Sequence, residues 1–439
     1  MKILILIFTI LLARAFSSEN CTIRIDPNQT ASLPDQVICK RNETYTVIET
    51  NPNTTGAKCL DGSNYKFLIH EGSGKNTKKF LFYFQGAAYC GADGYETLES
   101  CYRRSLTTLG NSNDFGGNGS TFTKNISIGY ASSDQETNPT FSTWNIMFIV
   151  YCDGTNSQGY VEQPIMYNDT IPLWFRGFNN TLSVFEYARQ NMDLFEAEEV
   201  LISGGSSGGT SAMVWSSYLQ DYFPKNVKLM GLSDGGLFLD VYNNASQCNL
   251  FRFFMQNLAY LTNANTSELY RSCRYHGTLE DVWKCMIPQY IYKNIEIPFF
   301  IANSQNDVEQ LATQYGIYCL VDGGPLFCTQ REQKMITNFR EKHLKLALKI
   351  KKNKPLWGLW LRTCFEHTYQ FTWAWYGTTM DVFNAEIGSS MSLKEALDFW
   401  YNDGKNKTHN SASFIDVLDW KHNPNCVYDE TYRDQDKSS

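Results

Sequence analysis

Two adjacent serines, Ser206 and Ser207, stand in the glycine-rich run Ser203-Gly-Gly-Ser-Ser-Gly-Gly-Thr210. Each meets a G-x-S-x-G spacing: Gly204 and Gly208 flank Ser206, and Gly205 and Gly209 flank Ser207. The spacing suits nucleophilic acyl chemistry. A serine exposes its Oγ on a sharp strand-to-helix turn only if the residues two before and two after it are small enough for strand and helix to pass closely. A glycine-rich turn that merely binds phosphate is the competing reading, but the full G-x-G-x-x-G fingerprint and the Walker lysine are both missing here.

A serine hydroxyl is a weak nucleophile, so the same chemistry calls for partners in the order Ser, then Asp or Glu, then His. Of the six histidines, His343, His367, His409 and His422 follow the serines and the candidate acids. His343 falls in a charged helical stretch and His409 and His422 in polar tail segments, whereas His367 follows an apolar, strand-like run. Asp307 closes the nearest strand before it. Asp234 competes for the acid role, although its Asp-Gly-Gly setting also reads as a turn. Glu366 adjoins His367 and would point elsewhere on any strand. An oxyanion hole needs backbone donors as well. Ser207, one residue past Ser206, is one candidate, and the small-residue loop Gly86-Ala87-Ala88 supplies others; one such donor is worth about 3 kcal/mol.

The elements that must position these groups are legible as apolar runs. Val200-Leu-Ile202 reads as a buried strand, and Ala212, Met213, Val214, Trp215 and Tyr218 fall on the buried side of a helix. Further strands are expected at Lys79–Phe84, Asn145–Tyr151, Lys228–Leu232, Ile297–Ala302 and Leu356–Leu361, with a helix opening at Arg176-Gly177. Strands alternating with helices imply an α/β fold: a mostly parallel sheet with helices on both faces and loop insertions, whose site lies at the carboxyl ends of the strands.

Composition narrows the setting. Lys2, the apolar stretch Ile3–Leu12 and Ala13-Arg-Ala15 form a secretory leader over residues 1–17, too short to span a bilayer. Thirteen cysteines then read as disulfides in an exported protein, and Asn-x-Ser/Thr sequons from Asn20 to Asn406 add a glycosylated surface. Zinc is not supported, since no Cys-x-x-Cys pair or histidine cluster occurs; no cofactor and no metal are expected. A net charge of −7 without basic clusters argues against nucleic acid. The one lysine run, Lys342–Lys354, alternates with Leu344, Leu346, Leu348 and Ile350 and so reads as the solvated side of a helix. The expected organisation is a polar surface lead-in at 18–56, a single disulfide-reinforced α/β domain at 57–430 and a polar tail at 431–439.

From about Cys59 to His367 the chain resembles the pectin acetylesterase family, which includes the Notum carboxylesterases. The landmarks are Phe84-Gln-Gly-Ala-Ala-Tyr-Cys90, Leu109-Gly110, Asn138-Pro139, Tyr151-Cys-Asp-Gly154, Arg176-Gly177, Gly204-Gly-Ser-Ser-Gly-Gly-Thr210, Leu232-Ser-Asp-Gly-Gly236, Pro288-Gln-Tyr290, Asn303-Ser-Gln-Asn-Asp307 and the His367 segment. The resemblance implies an α/β-hydrolase-like fold without a metal, cleaving acyl esters, with Ser206 as nucleophile, Asp307 as acid and His367 as base. It also implies disulfides Cys59–Cys152 and Cys90–Cys101. The chain departs from the family pattern at Gln85, Ala87 and Ala88, where a glutamate and glycines are usual, and at Ser207, where alanine is usual.

The expected function is therefore a secreted serine carboxylesterase acting on O-acyl esters, first of all O-acetyl groups on a polysaccharide such as pectin. It would work in the extracellular space or the lumen of the secretory-endolysosomal system. Deacylation of a lipidated protein is the second enzymatic reading. A binding glycoprotein on a dead hydrolase scaffold is the reading from another class. Trp373-Ala-Trp375 reads as core packing, with a sugar site as its alternative.

Overall fold

The computed structural model describes residues 43–91, 97–124, 129–242, 249–274, 279–322, 324–369, 382–384, 389–402, 412–423 and 426. The leader, the first part of the lead-in, Trp373–Trp375, the tail, and Cys21, Cys39 and Cys248 lie outside them.

The strands are β1 (Glu43–Glu49), β2 (Lys66–His70), β3 (Lys79–Phe84), β4 (Thr121–Lys124), β5 (Asn145–Ile149), β6 (Ile165–Tyr167), β7 (Ile171–Leu173), β8 (Glu199–Gly205), β9 (Lys228–Asp234), β10 (Phe299–Ser304), β11 (Gly358–Arg362), β12 (Val382–Asn384), β13 (Ser389–Met391) and β14 (Ser413–Ile415). Ten of them form one sheet in the order β14-β11-β10-β9-β8-β3-β5-β2-β1-β4, while β6–β7 and β12–β13 are separate ribbons. Every neighbouring pair from β14 to β5 is parallel. The pairs β5–β2, β2–β1 and β1–β4 are antiparallel. The chain is α/β and α/β-hydrolase-like. The fully buried runs Phe80–Phe84 and Asn145–Ile149 explain why the central strands read as continuous apolar segments: both of their faces are covered.

Register assigns the faces. Phe82 pairs with Ile202, and Ile202 with Gly231, so these residues share one side of the sheet. There Phe185 of helix α2 (Gly177–Asn191; α1, Thr97–Ser105, precedes it) stacks on Phe82 with ring centroids 4.1 Å apart. Trp215 of α3 (Ser207–Tyr222) stacks on Phe84 of the same side. Helix α4 (Leu250–Leu261) follows, and α5 (Gln330–Asn353) packs its His343 against Asn303 of β10. On the opposite side, Trp400 of α6 (Leu393–Asn402) packs on Phe300. Gly358 opens β11 because a Cβ there would lie 2.4 Å from the Phe300 ring and 2.8 Å from Trp400.

Two sequence expectations need correction. Residues 43–49, inside the stretch read as a surface lead-in, form β1 within the sheet, with Tyr45 and Val47 fully buried. The lysine-rich helix is not wholly a solvated face either. Lys351 is buried and donates to the carbonyls of Pro355 and Trp357, and His343 is buried on the inner side of the same helix.

Five disulfides join described residues: Cys59–Cys152, Cys90–Cys101, Cys273–Cys285, Cys319–Cys328 and Cys364–Cys426. The first two are the pairs implied by the family resemblance. No helix among the described residues is long and apolar enough to cross a membrane.

Candidate active site

The sheet order places a crevice where β3 ends, because the chain leaves β3 for β5 on one side and returns to β8 on the other. Ser206 stands there, between the end of β8 and the start of α3. Its backbone has φ 57° and ψ −132°, a conformation that a non-glycine residue rarely adopts. The glycines around it make the turn possible. A Cβ at Gly204 would lie 2.3 Å from the Gly208 carbonyl oxygen, one at Gly208 2.1 Å from that of Phe84, and one at Gly86 2.2 Å from that of Gly205.

The two serines have different surroundings. Ser206 Oγ lies 2.7 Å from His367 Nε2, and His367 Nδ1 lies 2.9 Å from Asp307 Oδ2. Ser207 is buried, and its Oγ accepts the Ala87 N–H at 2.9 Å. The structure thus brings Ser206, His367 and Asp307 into one hydrogen-bonded chain and leaves Ser207 outside it. Asp307 is 1% exposed, and its other carboxylate oxygen accepts the Gln310 N–H at 2.9 Å, which fixes the carboxylate plane toward the imidazole. Burial disfavours the charged ring of His367. The Asp307 charge and hydrogen bond, helped by Glu309 and Asp234, outweigh that effect and raise His367 to about 9.

Asp234, the competing acid, has another place. Its carbonyl oxygen accepts the Ser206 N–H at 2.7 Å, and both of its carboxylate oxygens lie 3.0 Å from the Tyr369 N–H. It ties the serine turn to the segment just past His367. Behind that segment, Arg362 and Glu366 form a buried two-oxygen ion pair at 2.7 and 2.8 Å. The Glu366 carbonyl accepts the Val308 N–H at 3.2 Å, so one short stretch braces both the imidazole and the carboxylate.

Of the expected oxyanion donors, Ala88 and Ser207 have N–H groups that meet no protein acceptor among the described residues. The Ala87 N–H does not offer itself in the same way, because the Ser207 hydroxyl already occupies it. Ala88 has φ 56°, a left-handed conformation in a non-glycine residue.

Several residues of the site escaped sequence reasoning. Arg104 on α1 donates from Nη1 to the Ala87 carbonyl at 2.7 Å and from Nη2 to that of Tyr89 at 3.4 Å. Phe238 lies parallel to the His367 ring at 6.0 Å, with Phe251 of α4 and then Tyr89 continuing an aromatic wall. Glu309, two residues past Asp307, has its carboxyl pushed up by burial; the nearby charge of His367 opposes this and that of Asp307 adds to it. Only the aromatic residues carried a sequence signal, as members of short apolar runs such as Leu237-Phe-Leu239 and Leu250-Phe251. No group of His, Cys, Asp and Glu among the described residues is placed to hold a metal.

Comparison with known proteins shows the family. Residues 40–427 match the family model described as Pectinacetylesterase. Pectin acetylesterase 4 of Arabidopsis thaliana is 29% identical over 363 residues, covering 80% of this chain and 81% of that protein. Palmitoleoyl-protein carboxylesterase NOTUM of Schmidtea mediterranea is 23% identical over 406 residues, covering 87% and 67%. Among solved structures, the Wnt deacylase Notum from Drosophila superposes with a TM-score of 0.67 at 19% identity, over 87% of this chain and 100% of that one, a likeness of fold. With the family match spanning the crevice and every strand of the main sheet, the chain belongs to the pectinacetylesterase family.

Proposed function

We propose that this carboxylic-ester hydrolase works through an acyl-enzyme on Ser206 and removes O-acetyl groups from a polysaccharide such as pectin outside the cell. The Ser206–His367–Asp307 chain of hydrogen bonds at the sheet edge is the observation that carries this reading. Ser206 Oγ attacks the ester carbonyl carbon as its proton passes to His367 Nε2. The tetrahedral oxyanion is held by the N–H groups of Ala88 and Ser207. Collapse breaks the bond to the alcohol oxygen, which takes the proton from His367 and leaves. Water then attacks the acyl-enzyme with His367 again as base, releasing the carboxylic acid and restoring the serine. Asp307 holds the imidazole with Nε2 toward Ser206 and stabilises the imidazolium.

The pectin acetylesterase relatives support the O-acetyl choice, and the disulfides together with the leader-like first residues support export. A second reading, removal of a longer acyl chain from a lipidated protein, is supported by the likeness to the palmitoleoyl-protein carboxylesterase NOTUM of Schmidtea mediterranea. Turnover of acetyl against octanoyl nitrophenyl esters, followed by acetate release from acetylated pectin, tests the choice. Acetyl preference with acetate release supports the first reading, and octanoyl preference without it supports the second. A binding protein on a dead scaffold would show neither.

A further inference from the structure

We infer that Arg104 is a positioning residue for the oxyanion hole, holding the Ala87–Ala88 peptide so that its N–H faces the developing charge. The inference rests on the Ser206 acyl-enzyme reading above.

The loop after β3 is the least self-sufficient part of the site. Ala88 sits at φ 56°, a left-handed conformation that an alanine rarely adopts and that surrounding contacts must hold. Two side chains do so. Ser207 Oγ accepts the N–H of Ala87 at 2.9 Å, and Arg104 Nη1 donates to the carbonyl of Ala87 at 2.7 Å. The second arm of the guanidinium reaches the Tyr89 carbonyl, so one planar fork grips the Ala87–Ala88 and Tyr89–Cys90 peptides and brackets Ala88 and Tyr89 between them. The fork is itself constrained. The Cys90–Cys101 disulfide ties α1 to this loop, Arg104 follows Cys101 by one helical turn, and the guanidinium lies 5.6 Å over the Tyr151 ring.

The chemistry follows from which peptide is gripped. The Ala87 carbonyl and the Ala88 N–H belong to the same amide. A cation on its oxygen draws electron density from its nitrogen and strengthens the N–H as a donor. Rotation of this amide would turn its carbonyl toward the oxyanion in place of its N–H. Arg104 opposes that rotation with a charge-assisted bond, without touching substrate.

The test compares Arg104→Gln and Arg104→Lys with wild type on nitrophenyl acetate, with kcat expressed per chain that a fluorophosphonate labels at completion. A trifluoromethyl ketone serves as tetrahedral analogue. Arg104→Gln is expected to lose about tenfold or more in kcat with KM within about twofold, and affinity for the ketone should fall in step with kcat/KM. Arg104→Lys, which keeps the charge but not the fork, should recover part of the loss. A smaller loss, a change confined to KM, or a ketone affinity that stays at the wild-type value overturns the inference. If Arg104→Gln does not fold, Arg104→Lys decides: a kcat loss of about threefold or more at unchanged KM supports it, and less overturns it. Wild-type chain that neither turns over nor labels would instead overturn the Ser206 reading, so the two failures are distinguishable.

Discussion

Ser206 and Ser207 are adjacent in sequence but separated in role by their partners: one Oγ meets His367 Nε2 at 2.7 Å, the other accepts the Ala87 N–H at 2.9 Å. The second contact holds a loop and reaches no base. Ser207→Ala is therefore expected to keep esterase activity within about tenfold of wild type, since it removes one neutral hydrogen bond worth about 1 kcal/mol. Steady-state kinetics on nitrophenyl acetate check this. A loss as deep as that of Ser206→Ala would mean that the second hydroxyl takes part in the chemistry.

The pH dependence follows from His367. Its folded value of about 9 lies above the ordinary 6.5. A general base must be neutral, so kcat/KM should rise with pH on a limb whose midpoint lies clearly above 6.5 and toward 9. Asp307 is the largest upward influence. Asp307→Asn should move the midpoint down and cut kcat by about 10⁴ through loss of the correct tautomer. Stability has the opposite sign. The His367 contribution is complete below 6.5 and is lost as pH rises through about 9. Denaturant midpoints at the two ends of that window should fall more for wild type than for His367→Gln.

Arg362 and Glu366 are both buried, so removing either strips the other of a two-oxygen ion pair inside the fold. Glu366→Gln should destabilise the fold by about 3–5 kcal/mol, read from urea unfolding. Because the same stretch holds Val308 and leads into His367, kcat should fall as well, with KM little changed. Replacing both residues by apolar ones of similar volume should return most of the stability but not the activity.

The sequence made the chemistry more legible than its supports. Chain order and strand ends pointed to Asp307 and His367 and left Ser206 and Ser207 both open, the family resemblance alone choosing Ser206; a parallel sheet delivers its strand ends to one edge whatever the loops do. The apolar runs at Lys79–Phe84 and Asn145–Tyr151 corresponded to strands for a similar reason, although β5 stops at Ile149. β1 was missed because polar composition hid a period-two alternation of Tyr45 and Val47 with exposed neighbours. His343 was read from the lysines around it. The spacing of Ile336, Phe339, His343, Ala347 and Ile350 places it instead on the buried stripe, where desolvation lowers it to about 4. Arg104 and the Ser207–Ala87 contact left no trace in the sequence, because they work through backbone groups, which every residue possesses.

Ser206 as the nucleophile is the central claim. Labelling the intact protein with a fluorophosphonate and locating the adduct by peptide mass spectrometry tests this most directly. One adduct is expected, on Ser206, abolished in Ser206→Ala and retained in Ser207→Ala. An adduct on any other residue, or none on a folded wild-type chain, would contradict it.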